Sequence, residues 1–129
     1  MNETMTYKER MAALRCAVIM PTYNNAGTIA KVISDVKEFS DDVIVVNDGS
    51  TDETASILAS IEGIKVIDYP NNKGKGYALK LGLSKAYEWG YRYAITIDSD
   101  GQHYADDIPV HIEKTEEKPE SLLIGPRNL

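Results

Sequence analysis

Two hydrophobic periods alternate along the chain. Short, nearly unbroken apolar runs occur at 17–21 (AVIMP), 42–48 (DVIVVND), 64–70 (IKVIDYP), 93–100 (YAITIDSD) and 121–125 (SLLIG). Runs of this length, rich in β-branched residues and lacking strict alternation, predict strands covered on both faces, as in a parallel sheet. Between them the apolar positions fall at helical spacing. Ile29, Val32, Ile33 and Val36 share one face of 27–39, and Ala78, Leu79, Gly82, Leu83 and Ala86 share one face of 76–90. Gly90 is placed to end the second of these helices. A further helix is predicted over 50–61, opening with Ser50 and Glu53 at capping-box spacing. A short helix is predicted around Pro109, and the charged stretch EKTEEKPE reads as a solvated helix end and turn.

Strand and helix thus alternate from end to end, with short connections and no internal repeat. That order predicts an α/β three-layer sandwich with a mainly parallel sheet. Residues 1–13 are expected to form a flexible or helical leader, and 14–129 the domain itself. In such folds ligands bind beyond the carboxyl ends of the strands, at the switch in strand order.

Composition narrows the function classes. With 129 residues the chain can bury a real core, and 43% hydrophobic and 26% charged residues are ordinary for a globular domain. The formal net charge of -6 argues against nucleic-acid binding, which needs basic surface to neutralise phosphates. The one cysteine, Cys16, lies in the apolar RCAVIM run and reads as a core residue. A single cysteine permits no internal disulfide, which suits a reducing compartment, so a cytoplasmic location is expected. No apolar run approaches the ~20 residues of a membrane-spanning helix. The N-terminus lacks the apolar stretch of a signal peptide.

Polar groups gather where the strands end. Pro21, Thr22, Tyr23 and Asn24 follow the first strand, Asn47, Asp48, Gly49 and Ser50 the second, and the NNKGKG loop the third. Asp98, Asp100, Gln102 and His103 follow the fourth, and Gly125 and Arg127 the fifth. Asp98 and Asp100 repel each other unless something positive sits between them. A hard divalent cation does this, and Gln102 could add a neutral oxygen ligand. An exposed acidic turn is the alternative. If Ser50 caps the next helix, Asp48 is left free to accept hydrogen bonds from a ligand, and Tyr23 offers a flat face to a ring. NNKGKGYAL matches neither a Walker A loop nor G-x-G-x-x-G, yet its amides and Lys73 or Lys75 could approach a pyrophosphate.

Together VIMPTYNN, VIVVNDGSTDET, NNKGKGYAL and ITIDSDGQH, in this order and spacing over about residues 16–127, resemble the inverting glycosyltransferases of family 2. DSDGQH with GKGYAL is most similar to the dolichyl-phosphate mannose synthase-like group of polyprenyl-phosphate sugar transferases. The resemblance implies a GT-A fold and metal-dependent transfer, with inversion, from a nucleoside diphosphate sugar to an acceptor such as a lipid phosphate or a glycan. It further implies that Asp48 binds the nucleoside and that Pro21, Thr22, Tyr23, Asn25, Lys75, Asp98 and Arg127 contribute to the donor pocket. Asp98, Asp100 and Gln102 would hold Mg²⁺ or Mn²⁺. Asn25 departs from the pattern, standing where the group usually has an acid.

The resemblance also implies an acceptor half, with the catalytic base, beyond Leu129. A truncated GT-A domain is therefore expected to bind donor without full activity, at the cytoplasmic face of a membrane if the whole protein is membrane-bound. Two copies could pair through apolar surface that the other half would cover. The competing readings are a nucleotide-binding or self-associating fragment without catalysis and a haloacid dehalogenase-like phosphatase. The phosphatase motif normally continues with Thr or Val where Gln102 stands. A receiver-like module would need an acidic pair after the first strand, where this chain has PTYNN.

Overall fold

The computed structural model describes residues 6–97. Its elements run α1 (Tyr7–Leu14), β1 (Cys16–Thr22), α2 (Ile29–Lys37), β2 (Val43–Asp48), α3 (Thr54–Ala59), β3 (Lys65–Tyr69), α4 (Lys75–Glu88) and β4 (Tyr93–Thr96). All strand pairs are parallel, in the order β3-β2-β1-β4. The short helix expected around Pro109 and the strand expected at 121–125 lie outside the described residues.

The alternating run pattern has its predicted cause. Every residue of the central strands β1 and β2 is buried. Cys16, Val18, Met20, Val43, Val45 and Ile95 face a core completed by Ile29, Val32, Ile33 and Val36 of α2, Leu58 of α3 and Met11 of α1. The opposite side chains, Ala17, Ile19, Ile44, Val46 and Ala94, pack against Ala78, Leu79, Leu83 and Ala86 of α4. The result is three layers with the sheet in the middle. Helix α4 lies close to the sheet because Gly82 has no side chain; a Cβ there would stand 2.6 Å from Ile19 Cγ2. Edge strand β3 is only partly covered.

The helix ends are chemically legible. Helix α4 stops in a Schellman turn: Gly90, at φ +92°, donates to Tyr87 O, and Tyr91 N donates to Ala86 O. Helix α1 carries a capping box, with Thr6 N donating to Glu9 Oε1 at 2.8 Å and Glu9 N to Thr6 Oγ1 at 3.1 Å. The capping box predicted for Ser50 and Glu53 does not form. Helix α3 begins later, at Thr54, and neither residue caps it with its side chain. Ser50 Oγ instead accepts from the Asn24 backbone at 2.9 Å, a contact 26 residues distant in sequence.

Strand order changes direction between β1 and β4, since β2 and β3 build to one side of β1 and β4 returns to the other. The last described ladder contact there is Ile97 N to Ile19 O at 3.0 Å. Odd residues of β1 bond toward β4, so the N–H that Pro21 lacks falls on the β4 side and leaves the β1–β2 pairing intact.

Candidate functional site

The first two rim loops are stitched to each other. Asn24, in the left-handed region at φ +52°, is the centre of the stitch. Its Oδ1 accepts from Thr51 N at 2.8 Å and Asp52 N at 3.2 Å, and its Nδ2 donates to Thr51 Oγ1 at 3.3 Å. Asn25 N donates to the buried Thr54 Oγ1 at 3.1 Å, and Ala26 N to Asp52 Oδ2 at 3.3 Å. Asp52 Oδ1 also takes the Thr54 amide at 2.9 Å. Hydrogen bonds from Thr54, and then from Ala26, hold the Asp52 carboxyl below its ordinary pKa against a smaller opposing effect of burial. Asn25 Nδ2 donates to Thr22 Oγ1 at 3.2 Å, so in this chain the residue at the acid's place ties down the end of β1. Tyr23 stands out from this braced rim, 45% exposed.

The second braced region is built on Asp48, the last residue of β2 and only 3% exposed. Its Oδ1 accepts from Tyr69 Oη at 2.7 Å and Lys73 N at 2.8 Å. Its Oδ2 accepts from Asn72 Nδ2 at 2.9 Å and Gly74 N at 3.0 Å. These four donors match the roughly four acceptor positions of a carboxylate. Asp48 was expected to be left free by Ser50; instead its oxygens close the β3–α4 turn. The amides of Lys73 and Gly74, expected to be available to a phosphate, point to that same carboxylate.

Gly49 lets the turn come close. At φ +69°, a Cβ on it would stand 2.3 Å from Asn72 N and 2.4 Å from Asn71 C. Tyr69 is braced in turn by an edge contact with Tyr77 of α4, with ring centroids 5.4 Å apart. Lys73 Nζ lies 5.6 Å from the Tyr77 ring, and Lys75 begins α4. Burial, followed by the hydrogen bond to Asp48 and its charge, raises the Tyr69 phenol well above its ordinary pKa.

A parallel row sits on the sheet face toward α2 and α3. Thr22, Asn47 and Asp68 are in register. Asn47 Nδ2 donates to Asp68 Oδ1 at 2.8 Å, and Asn47 Oδ1 accepts from Ser50 N at 3.3 Å.

The structure therefore brings Pro21, Thr22, Tyr23, Asn25 and Asp48 to one rim and places Lys75 at the start of the helix beside it. Asp98, Asp100, Gln102 and Arg127 lie outside the described residues. Among the described residues no group of three His, Cys, Asp or Glu could hold a metal ion. The ligands expected from the sequence, Asp98, Asp100 and Gln102, are hard oxygen donors of the kind Mg²⁺ and Mn²⁺ prefer. Those residues follow Ile97, which reaches the rim at the switch point beside β1.

Sequence reasoning missed Asn24, Tyr69 and Asn72 as organisers of the rim. Asn24 carried one signal, because Asn is among the few residues that enter the left-handed region readily. Tyr69 and Asn72 carried none, since their roles depend on which strand lies next to β2.

A family model described as Glycosyl transferase family 2 matches residues 17–128. The chain is 33% identical over 127 residues to the UDP-N-acetylglucosamine–dolichyl-phosphate N-acetylglucosaminyltransferase of Methanococcus voltae, covering 85% of this chain and 51% of that protein. It is 30% identical over 100 residues to poly-beta-1,6-N-acetyl-D-glucosamine synthase of Staphylococcus epidermidis, covering 73% of this chain and 23% of that one. Among solved structures it resembles glucosyl-3-phosphoglycerate synthase from Mycobacterium tuberculosis. The complex with Mn²⁺, UDP-glucose and phosphoglyceric acid superposes with a TM-score of 0.66 at 25% identity, covering 93% of this chain and 46% of that one. The same enzyme has been solved with Mg²⁺ and UDP, at a TM-score of 0.62 and 28% identity, covering 80% and 40%. The chain spans about half the length, or less, of these proteins.

Proposed function

Because the chain belongs to glycosyl transferase family 2 and has the GT-A fold, we propose that it forms the donor-binding part of a sugar transferase. The donor is a uridine diphosphate sugar held with Mg²⁺ or Mn²⁺, and the acceptor is a lipid phosphate or a glycan. The observation that carries this reading is the braced rim. The loop beside Tyr23, the ends of β1 and β2, and the start of α4 are bonded to one another along the carboxyl edge of the sheet, next to the switch in strand order between β1 and β4. Rigid placement of this kind is what positions a donor's anomeric carbon for in-line attack. Further support comes from the neighbours' UDP and UDP-glucose complexes with Mg²⁺ or Mn²⁺ and from the dolichyl-phosphate named for the archaeal relative.

Each group has a role under this reading. Tyr23 stacks on the base, with Pro21 and Thr22 lining its edge. Lys75 and the first-turn amides of α4 meet the diphosphate; Gly74, at the N-cap, brings no side chain of its own to cover them. Asp98, Asp100 and Gln102 hold the metal, and Arg127 approaches the donor from beyond the fifth predicted strand. When bound, the metal supplies positive charge against the departing diphosphate. These residues bind donor and do not turn it over alone.

A thermal-shift panel of UDP, GDP, CDP and dTDP, each with and without Mn²⁺, tests the reading. UDP with Mn²⁺ is expected to raise the midpoint, because ligand at 100 times its Kd stabilises by about 2.7 kcal/mol. No response to any nucleotide at millimolar concentration, or sugar transfer by these residues alone, would contradict it.

A further inference from the structure

We propose that the outward face of α4 is a docking surface for an anionic lipid bilayer, on which the protein lies without crossing it. Among the described residues four large hydrophobic side chains stand exposed, and three belong to this helix and its C-cap: Tyr77 at 46%, Tyr87 at 49% and Trp89 at 43%. Ala78, Gly82 and Ala86 are the buried side of the helix, against the sheet. Tyr77, Lys80 and Tyr87, at i, i+3 and i+10, therefore share the side turned away from it, over about 15 Å of axis. Each end of the helix also pairs an exposed ring with an ammonium group. Lys73 Nζ lies 5.6 Å from the Tyr77 ring, and Lys65 Nζ lies 5.8 Å from the Trp89 ring. Tyrosine and tryptophan beside lysine suit the interfacial zone of a bilayer, where rings sit among headgroups and ammonium groups reach lipid phosphates.

Charge selects the same face. Residues 71–90 hold four lysines and one acid, Glu88, a net +3 in a chain of net -6, so the rest of the chain carries -9. Lys85 Nζ stands 3.6 Å from Glu88 Oε1 and offsets that acid in place. A negative surface thus attracts this side of the molecule and repels the remainder, which fixes the orientation of approach. A second copy docked on the same face would bring two like-charged surfaces together. A nucleic acid needs basic contacts repeated along its backbone, and the charge on the rest of the chain opposes it. Among the described residues no helix is long and apolar enough to cross a membrane, and the apolar side of α4 is taken up by the sheet, so the contact is shallow. Because α4 begins directly after Gly74, docking would set the neighbouring rim at headgroup level; that consequence, unlike the surface itself, rests on the donor-site reading.

Trp89 is the only tryptophan of the chain and reports directly on the contact. The chain is floated with vesicles of equal parts phosphatidylcholine and phosphatidylglycerol, and with vesicles of phosphatidylcholine alone, while tryptophan emission is recorded. Binding to the anionic vesicles, weakened by salt and accompanied by a blue shift of Trp89 emission, is the expected result. Lys80→Ala should weaken it about fivefold, the attraction of one lysine near such a surface. Tyr87→Ser should weaken it about threefold, through lost interfacial burial of the ring. Lys31→Ala removes the same charge from α2, across the sheet, and should change binding by less than about twofold. All three positions are on the surface, and circular dichroism checks that each variant folds.

No binding to anionic vesicles, equal binding to neutral ones, or unshifted Trp89 emission in the bound chain would overturn the proposal. So would equal losses for Lys80→Ala and Lys31→Ala. Tighter binding to single-stranded polyuridylate than to vesicles would overturn it in favour of a nucleic acid, and a concentration-dependent Trp89 shift without lipid in favour of a second copy. The UDP thermal shift is read in parallel. Its presence without vesicle binding strikes this surface alone, and its absence with vesicle binding strikes the donor site alone.

Discussion

Replacing Gly49 by alanine adds one methyl group, and the structure says what it meets. The residue sits at φ +69°, where an L side chain costs about 1–2 kcal/mol. The new Cβ would stand 2.3 Å from Asn72 N, 2.4 Å from Asn71 C and 2.9 Å from Asn71 O. These are backbone atoms and cannot rotate away, so the 71–74 turn must shift as a unit. Asp48 then loses its bonds from Lys73 N and Gly74 N, now 2.8 and 3.0 Å. Hydrogen bonds to a charged group contribute about 1.5–3 kcal/mol each, and water recovers part of that at a rim. The sum is a loss of about 3–5 kcal/mol, a large share of the 5–15 kcal/mol typical of a domain.

Urea denaturation followed by circular dichroism measures this loss, and amide exchange at Lys73 and Gly74 localises it. Gly90→Ala is the control. It shares the left-handed backbone, at φ +92°, but its Cβ would meet only the flexible Arg15 guanidinium at 3.6 Å, so about 1–2 kcal/mol is expected there. Equal losses at the two glycines, or unchanged protection of the Lys73 and Gly74 amides in Gly49→Ala, would refute the account of the turn as a body clamped on β2.

Other outcomes follow from the same contacts. Asn24→Ala removes the acceptor of the Thr51 and Asp52 amides and puts alanine at φ +52°, so it should cost about 2–3 kcal/mol in urea denaturation and speed proteolysis within 23–28 and 49–53. Stability should also fall at alkaline pH. Burial, with the nearby Asp42 charge adding to it, pushes the Cys16 thiol from 9.0 up to about 12. Burial and bonds to Asp48 and Asp42 raise the Tyr69 and Tyr91 phenols. These groups are neutral in the fold at a pH where they ionise in the unfolded chain. Their contribution is therefore complete below about pH 8.5 and is lost as pH rises through the folded-state values. Denaturation midpoints between pH 8 and 11 should decline. Tyr91→Phe, which cannot ionise, should flatten the decline above about pH 10, and an unchanged slope would count against the Tyr91–Asp42 bond at 2.7 Å.

The layered fold was legible in the sequence because burial is a local signal, repeated along the central strands and the helices that cover them. AVIMP and DVIVVND are apolar on both faces since β1 and β2 are sandwiched, and the Ile29–Val36 stripe is the face α2 turns to the sheet. The site's location was legible for a related reason: polar residues directly after buried strands have one rim to occupy. Ser50 shows the limit. Its spacing to Glu53 suits a local cap, and the backbone of Asn24, brought beside it by the pairing of β1 with β2, captured its hydroxyl instead.

By itself, then, the sequence determined, among the described residues, the alternation of strands and helices, the buried faces of β1, β2 and α2, and that the polar groups after the strands collect at one edge. Only the tertiary structure decided the order β3-β2-β1-β4 and, with it, which polar group answers which. Asp48 serves a turn some 25 residues away because β3 lies next to β2, and no local pattern encodes that neighbour. The physical reason is one of range. Hydrophobic periodicity is written every two to four residues, whereas a hydrogen bond between two loops exists only once the strands beneath them have been placed side by side.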